Sequence, residues 1–328
     1  MIISKNTPFA IDSSFLEKCK KIYEFQSRHT AVYRNFLQAL GAQNGSLLDP
    51  DTIPLLPIRA FKQSDVISED LTEKIIFESS GTSAMTKSRH LVAVPELYQT
   101  AILKGFKEYF SFQDYSLICY MPGYEENERS SLIWMARYLI NKDPDQLSSF
   151  LPSSSEQIEM SFKKIQDKGK KILLFGAAFG LLDLIEKKLI PEGYNPEIIE
   201  TGGMKTFRRE MSKESLRNYL SEGFGTSLSK IHSEYGMCEL LSQMYAIGGE
   251  WFNTPEWVYV SIREHENPSK ACKPGEEGKI GIIDLANMHS CSFILTEDRG
   301  IMDEKGRFKV LGRWNSNNLR GCNFLVDS

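Results

Sequence analysis

The sequence predicts an α/β fold, because short apolar segments typical of strands alternate with helical segments from residue 73 to about residue 203. Two examples are the strand pattern YSLICYM followed by the helical RSSLIWMARYLI, and KKILLFG followed by GLLDLIEKKL. Such alternation indicates a largely parallel sheet that helices cover on both faces. After about residue 250 the pattern changes to strands separated by Pro and Gly turns, which predicts an antiparallel or barrel-like part: WVYVSI, KIGIID, SFILTE and RFKVLG.

The N-terminal part carries helical signals instead. An apolar stripe with helical spacing predicts one long helix over residues 13–40, which Ser13 or Ser14 can cap and a glycine can end. Two prolines in the next segment, IPLLPIRAFK, predict an extended connector. We therefore expect a helical region with a connector over residues 1–72 and an α/β core over residues 73–328, β-rich from about position 250.

Composition excludes several functional classes. The 328 residues include 39 basic and 43 acidic side chains, and the resulting net charge of -4 argues against a general nucleic-acid binder. No secretory signal begins the chain and no apolar run is long enough for a membrane span, so we expect a cytoplasmic protein. The six cysteines form no CxxC pair and the five histidines no HExxH motif, so a metal is expected only together with a ligand.

A loop rich in hydroxyl groups, SSGTSAMTK, lies between two predicted strands and ends at Lys87. Its hydroxyls and backbone N–H groups can donate to an anion, its glycine permits a close approach, and its lysine supplies charge. The spacing differs from that of a GxxxxGK[ST] phosphate loop. An ordinary turn is the alternative.

A glycine pair, Gly202 and Gly203, follows the apolar strand PEII within the segment ETGGMK. In open α/β sheets, ligands bind beyond the carboxyl ends of the strands, where glycines let a flat ring or a phosphate approach the backbone. A tight strand-to-helix connection is the alternative.

The segment SEYGMCELLSQ begins at Ser233 and combines an aromatic ring, a glycine and a carboxylate. Tyr235 can stack on a purine, Gly236 permits a sharp turn, and Glu239 can hold Mg²⁺ on a phosphate oxygen. The alternative is a capped helix start.

A fourth signal is the segment TEDRG, interpreted as a turn, followed by a Gly-Arg pair that ends at Arg313. Asp298 is suited to hold two ribose hydroxyls, and an arginine can contact ribose or phosphate oxygens. A plain surface turn is the alternative.

The order of these four signals resembles that of the adenylate-forming enzymes, which include acyl- and aryl-CoA ligases, luciferases and peptide-synthetase adenylation domains. Over roughly residues 50–328 the chain is more narrowly similar to the acyl-protein synthetases of the bacterial luminescence fatty-acid reductase system. The segments that carry this resemblance are LPIRAFK, SSGTSAMTKS, LLFGAAF, ETGGMK, SEYGMCELLSQ, TEDRG and LRGCNF. The resemblance implies the N-terminal domain fold of adenylate-forming enzymes, with parallel-rich sheets, covering helices and a β-rich C-terminal part.

The resemblance also implies site residues. The β- and γ-phosphates of ATP would be held by Ser79, Ser80, Gly81, Thr82, Ser83 and Lys87. The adenine would lie among Gly202, Gly203, Met204, Tyr235 and Gly236. Glu239 would bind Mg²⁺, while Asp298 and Arg313 would bind the ribose. Catalysis would then rest on positioning and on charge neutralisation by Mg²⁺, lysine and arginine, so the resemblance makes Lys87 and the metal ligand Glu239 catalytic.

Two features depart from the common family pattern. Cys238 stands where the pattern YGxTE has threonine, and a thiol donates a poorer hydrogen bond. The sequence also stops 15 residues after Arg313, so we expect the usual C-terminal lid domain with its catalytic lysine to be absent. In the acyl-protein synthetases a cysteine near the C-terminus accepts the acyl group. Cys322, with Arg320 nearby to favour the thiolate, matches it, and a buried structural cysteine is the alternative.

The expected function is therefore ATP-dependent activation of a carboxylic acid, by the resemblance a fatty acid, to an acyl-adenylate, followed by acyl transfer to a thiol, Cys322. A reductase or an acyl carrier is implied as a partner only by analogy. One alternative is a ligase that delivers the acyl group to coenzyme A or a carrier protein, and another is a non-catalytic acyl or nucleotide binder. The segment LLFGAAFG is interpreted either as the lining of an acyl channel or as plain core.

Overall fold

The computed structural model describes residues 4–42, 49–79, 87–124, 127–202 and 211–314. The helices are α1 Phe15–His29, α2 Ala31–Ala39, α3 Ala60–Gln63, α4 Pro95–Lys107, α5 Ser131–Ile140, α6 Ser155–Asp167, α7 Ala178–Glu186 and α8 Lys213–Gly223. The strands are β1 Leu56–Pro57, β2 Ile75–Glu78, β3 Arg89–Val92, β4 Tyr115–Tyr120, β5 Ser149–Phe150, β6 Lys171–Ala177, β7 Glu197–Thr201, β8 Ile231–Tyr235, β9 Met244–Ala246, β10 Val258–Arg263, β11 Gly278–Asp284, β12 Phe293–Met302 and β13 Phe308–Arg313.

The predicted parallel sheet has the strand order β5-β4-β6-β7-β8-β9. Its strands run parallel from β5 to β8, and β9 pairs antiparallel to β8. Successive side chains of β6 point to opposite faces: Leu173 and Phe175 pack in one buried cluster, whereas Leu174 packs in another with residues of α6, α7 and α8. Both faces are therefore covered, as the apolar runs predicted.

The C-terminal strands form a second, mostly antiparallel sheet in the order β1-β12-β11-β10, with β13 paired to β12. This confirms the predicted change of character along the chain. One detail of the prediction is wrong: the segment TEDRG is not a turn, because β12 continues through it to Met302. Pairing with β13 supplies its backbone partners, and a register shift between Arg299 and Gly300 bends the strand there.

The single helix predicted for residues 13–40 is two helices, α1 and α2, joined at Thr30. Thr30 is buried in an extended conformation, and its hydroxyl donates to the Ser290 carbonyl (3.3 Å). The start of α1 is capped by Ser14 in a capping box with Glu17, so of the two serines considered Ser14 is the cap.

The proline-containing connector is extended only in part. Leu56 and Pro57 form β1, which pairs parallel with β12, and the short helix α3 follows directly. The N-terminal residues thus pack into the same buried cluster as the antiparallel sheet.

The segment LLFGAAFG packs as core. A Cβ atom on Gly176 would lie 2.7 Å from a Leu181 methyl and 2.8 Å from the Tyr120 carbonyl oxygen, and one on Gly180 would lie 2.7 Å from Pro122. The small residues here serve close packing. Within the part of the chain that the structure describes, no helix is both long enough and apolar enough to span a membrane.

Candidate nucleotide site

Two of the four sequence signals meet at the carboxyl edge of the parallel sheet. Strand β7 ends at Thr201, which Gly202 follows in a left-handed conformation (φ 77°), and the neighbouring parallel strand β8 ends at Tyr235. Ligands of open α/β sheets bind at this edge. Gly203 and Met204 lie outside the described residues, so the alternative of a tight strand-to-helix connection stays open.

The third and fourth signals are joined by direct hydrogen bonds. The Tyr235 hydroxyl donates to Asp298 Oδ2 (2.8 Å), and Arg313 Nε donates to Asp298 Oδ1 (3.0 Å). Asp298 and Arg313 are directly paired in register on β12 and β13. The Asp298 carboxylate is therefore fixed by two donors from two different sheets, and each oxygen keeps acceptor capacity for a ribose hydroxyl.

The ring of Tyr235 packs against Phe252 and Phe308, with centroid distances of 5.8 and 5.6 Å. Burial, reinforced by the Asp298 carboxylate, raises the pKa of Tyr235 well above its ordinary value, so the phenol remains a hydrogen-bond donor. Stacking of this ring on a purine remains a prediction.

No helix begins after Tyr235, so the alternative of a capped helix start is wrong for this described segment. The chain is held instead by two side chains from elsewhere. His90 Nδ1 donates to the Cys238 carbonyl (2.8 Å), and Asn287 Nδ2 donates to the Glu239 carbonyl (2.7 Å). Because the Cys238 carbonyl can only accept a hydrogen bond, His90 carries its proton on Nδ1.

The next residues of this segment are fixed by the buried Asp284. Its carboxylate accepts hydrogen bonds from the Leu241 N–H (2.9 Å) and the Ser242 hydroxyl (2.7 Å). The Ser242 hydroxyl in turn accepts from Trp257 Nε1 (2.9 Å). The segment that carries Glu239 follows β8 of the parallel sheet and is therefore also tied to the antiparallel sheet, where Asp284 ends β11.

Glu239 is buried and faces the end of the predicted phosphate loop. Burial raises the pKa of Glu239, while hydrogen bonding from the Ser88 side chain and the positive charge of Arg313 oppose that rise. Ser88 closes the loop against Ser79, because the Ser79 N–H donates to the Ser88 carbonyl and the Ser88 N–H donates to Ser79 Oγ (both 3.0 Å). The proposed metal ligand thus lies beside the base of the loop.

Lys87 stands at this base. Its Nζ lies 3.8 Å from a Glu78 carboxylate oxygen, and Arg129 also pairs with Glu78. The side chains of Lys87 and Arg129 are 40% and 57% exposed, so both cations can face an anionic ligand. Sequence analysis missed Arg129, which belongs to no motif. The predicted loop residues Ser80, Gly81, Thr82 and Ser83 lie outside the described residues.

The two cysteines with assigned roles have different standings. Cys238 is buried, and burial raises the pKa of its thiol well above the ordinary value, so it stays neutral. Cys322 lies outside the described residues, and its role remains a prediction.

The residues present fit a nucleotide with Mg²⁺. Among the described residues no group of three or more His, Cys, Asp or Glu side chains forms a metal cluster. A lone carboxylate such as Glu239 agrees with Mg²⁺, which is commonly held by one or two carboxylates together with substrate phosphates.

No curated protein matches the sequence significantly, whereas solved structures do. Two structures of 2-hydroxyisobutyryl-CoA ligase, in complex with 2-HIB-AMP alone and with 2-HIB-AMP and CoA, give TM-scores of 0.67 and 0.66 at 12% identity, covering 91% and 92% of this chain and 67% and 68% of theirs. ATP-bound MatB from Rhodopseudomonas palustris gives 0.53 at 14% identity, covering 73% of this chain and 47% of that one. These similarities establish the adenylate-forming fold.

The family model described as "Acyl-protein synthetase, LuxE" matches residues 10–328. The predicted fold and the predicted enzyme class, an AMP-forming ligase joining an acid to a thiol, are confirmed. The chain belongs to the LuxE acyl-protein synthetase family.

Proposed function

We propose that this chain binds ATP and Mg²⁺ at the carboxyl edge of the parallel sheet, activates a fatty acid there, and passes the acyl group to Cys322. The observation that carries the proposal is the hydrogen-bonded set Tyr235–Asp298–Arg313, with Glu239 beside it at the base of the Ser79–Lys87 loop. Side chains from four separate segments converge there, which supports a site for a nucleotide.

Each described residue has a definite task in the adenylation step. Asp298, held by Tyr235 and Arg313, accepts from the ribose hydroxyls and fixes the nucleoside. Glu239 would hold Mg²⁺, and Lys87 would face the phosphates. Mg²⁺, when bound, neutralises charge on the phosphate oxygens.

The reaction then proceeds in two displacements. An oxygen of the substrate carboxylate bonds to the α-phosphorus, the bond from that phosphorus to the bridging oxygen breaks, and pyrophosphate leaves. In the second step the Cys322 thiolate attacks the acyl carbon, the bond to the phosphate oxygen breaks, and AMP leaves with the electron pair. A reductase or an acyl carrier would remove the acyl group from the thioester.

Intact-mass measurement tests the whole proposal. After incubation with ATP, Mg²⁺ and a panel of acids, we expect a mass increase of one acyl group that hydroxylamine removes and that Cys322→Ser abolishes. Cys272→Ser, at a half-buried cysteine on the antiparallel sheet side, is the matched control and should still be acylated.

Two other outcomes are informative. If Cys322→Ser still forms acyl-CoA at the wild-type rate, coenzyme A rather than Cys322 is the acyl acceptor. Absence of acid-dependent pyrophosphate exchange with every acid, despite ATP binding, would identify a non-catalytic binder.

A further inference from the structure

Glu234 lies at the junction of the two glycine-containing turns of the candidate site, yet none of the sequence signals assigned it a role. It is the residue before Tyr235 on β8 and pairs in register with Thr201, the last residue of β7. Its side chain is buried, with 6% of the residue exposed. A buried carboxyl group requires a specific set of partners.

The two oxygens of this carboxyl group contact the two turns separately. The Thr201 hydroxyl donates to Glu234 Oε2, directly before the left-handed Gly202. On the other side, Glu234 Oε1 occupies the space beside Gly236, where a Cβ atom would lie 2.5 Å from that oxygen. One side chain therefore connects the end of β7 with the chain that follows Tyr235.

The charged and titratable neighbours explain how this group tolerates burial. Glu200 of β7 pairs in register with Ser233, so its side chain points to the opposite face of the sheet from Glu234. There it accepts from the Ser233 hydroxyl and pairs with Lys213 of α8, whose Nζ lies 2.5 Å from Glu200 Oε1, and only its charge acts on Glu234. Tyr98 of α4 and Tyr245 of β9 lie on the remaining sides. Since Lys213 is engaged with Glu200, the hydroxyl of Thr201 is the donor that the described structure offers to Glu234.

Burial raises the pKa of Glu234 to about 7, and the nearby Glu200 adds to the rise, while Thr201 and Lys213 oppose it. A group of this kind is held largely as the neutral acid in mildly acidic solution. The contacts on both turns are therefore available to an uncharged side chain of the same shape.

We propose that Glu234 is a positioning residue that couples the Thr201–Gly202 turn to the Tyr235–Gly236 turn, so that both sides of the adenine pocket are held in one geometry for ATP. Glu234 acts through Thr201 and Gly236 and does not itself touch the nucleotide. The inference rests on the proposed function in one respect, namely that ATP occupies this edge of the sheet.

The test measures ATP affinity directly, by calorimetric titration in the presence of Mg²⁺, together with the thermal midpoint of each variant. Thr201→Val keeps the shape of the side chain but removes the donor, and we expect the Kd for ATP to rise about tenfold, the typical result of leaving a buried polar group unpaired. Glu234→Ala should weaken binding at least as much. Glu234→Gln should stay within about twofold of wild type at pH 7, because its amide oxygen accepts the same hydrogen bond.

Thr30→Val is the matched control. Thr30 is equally buried and its hydroxyl also makes one hydrogen bond, but that bond joins α1–α2 to Ser290. We expect an unchanged Kd for ATP in this variant, whatever its effect on the thermal midpoint. Steady-state kinetics should show the effect of Thr201→Val in the KM for ATP, with the KM for the acid near its wild-type value.

The outcomes separate the two hypotheses. Wild-type ATP affinity in folded Thr201→Val would overturn the coupling role of Glu234, even if Glu234→Ala does not fold. Failure of the wild-type protein to bind ATP would instead overturn the proposed function. Weak binding by Glu234→Gln equal to that of Glu234→Ala would also contradict the inference, since it would make the charge rather than the hydrogen bond the essential feature.

Discussion

The two sides of the candidate site hold their carboxyl groups in opposite ways. On the antiparallel sheet, Asp298 has a guanidinium and a phenol as donors, and its arginine partner is 56% exposed. On the parallel sheet, Glu234 is buried near a second carboxylate, and its pKa is raised to about 7. Both residues are acidic, but only Asp298 has a cation of its own.

This difference assigns different tasks to the two regions. A carboxylate with a charged partner at the solvent boundary is available to polar groups of a ligand, and its bonds are charge-assisted. A buried carboxyl group without a cation of its own is better suited to hold neighbouring turns together, because its ionised form is costly there. The same substitution, acid to amide, should therefore weaken the use of ATP at Asp298 and leave ATP affinity nearly unchanged at Glu234.

The largest effect is expected for Glu239→Gln, at the segment between the two regions. Removing the negative charge should lower the rate of acid-dependent pyrophosphate exchange about 100- to 1000-fold, the usual loss for one electrostatic group that acts on a transition state. Glu69→Gln, in a surface ion pair with Arg34, is the control and should keep full activity. A near-normal exchange rate in Glu239→Gln would remove this residue from the metal site.

Asp298→Asn should give the next largest effect. The amide cannot form charge-assisted bonds with Arg313 and with the ribose, so kcat/KM for ATP should fall about 10- to 100-fold. Asp303→Asn is a close control, because Asp303 accepts from Arg307 Nε (2.8 Å) in the turn between the same two strands. If Asp298→Asn and Glu234→Gln lose the same amount of activity, the proposed difference between the two regions is wrong.

Tyr235→Phe removes one of the two donors to Asp298 and leaves the ring packing in place. We expect the KM for ATP to rise about fivefold, equivalent to the roughly 1 kcal/mol of a typical hydrogen bond because Arg313 still holds Asp298, with little change in kcat. In Tyr194→Phe a tyrosine hydroxyl that donates to Glu159 (2.7 Å) is lost elsewhere, and the KM should not change. An unaltered KM in Tyr235→Phe would show that Arg313 alone is sufficient to hold Asp298.

The sequence was sufficient to predict most strands, because their apolar runs are bounded by turn residues. It also singled out Tyr235, Asp298 and Arg313, which the structure joins by hydrogen bonds and whose roles remain predictions. The order of the motifs along the chain, rather than any single motif, led to these three residues. The turn predicted around Asp298 failed for a physical reason: Asp-Arg-Gly has local turn propensity, but β12 is kept extended by pairing with β13. Such long-range pairing overrides local preference.

The supporting residues could not be predicted in the same way. His90 reaches the Cys238 carbonyl over 148 positions of the chain, and a lone histidine on a strand carries no motif. The role of Glu234 depends on its register with Thr201, which the sequence does not state. The break at Thr30 depends on a hydrogen bond to Ser290. Each of these follows from tertiary contacts rather than from local pattern.

The smallest effect on activity, and the sharpest distinction between the two regions, is expected from the pH dependence of stability in Glu234→Gln. Because the pKa of Glu234 is raised from 4.5 to about 7 in the fold, its contribution to stability is complete below pH 4.5, is lost progressively up to about pH 7, and is absent above. Glutamine has no such proton, so the thermal midpoint of the variant minus that of wild type should increase by a few degrees between pH 5 and pH 8.

Asp284, with its pKa raised to about 6, contributes equally to both proteins and cancels in the difference. Glu304→Gln, at an exposed position in the β12–β13 turn, should show a constant difference. A difference that is also constant for Glu234→Gln would mean that Glu234 is ionised in the fold, and the contrast with Asp298 would disappear.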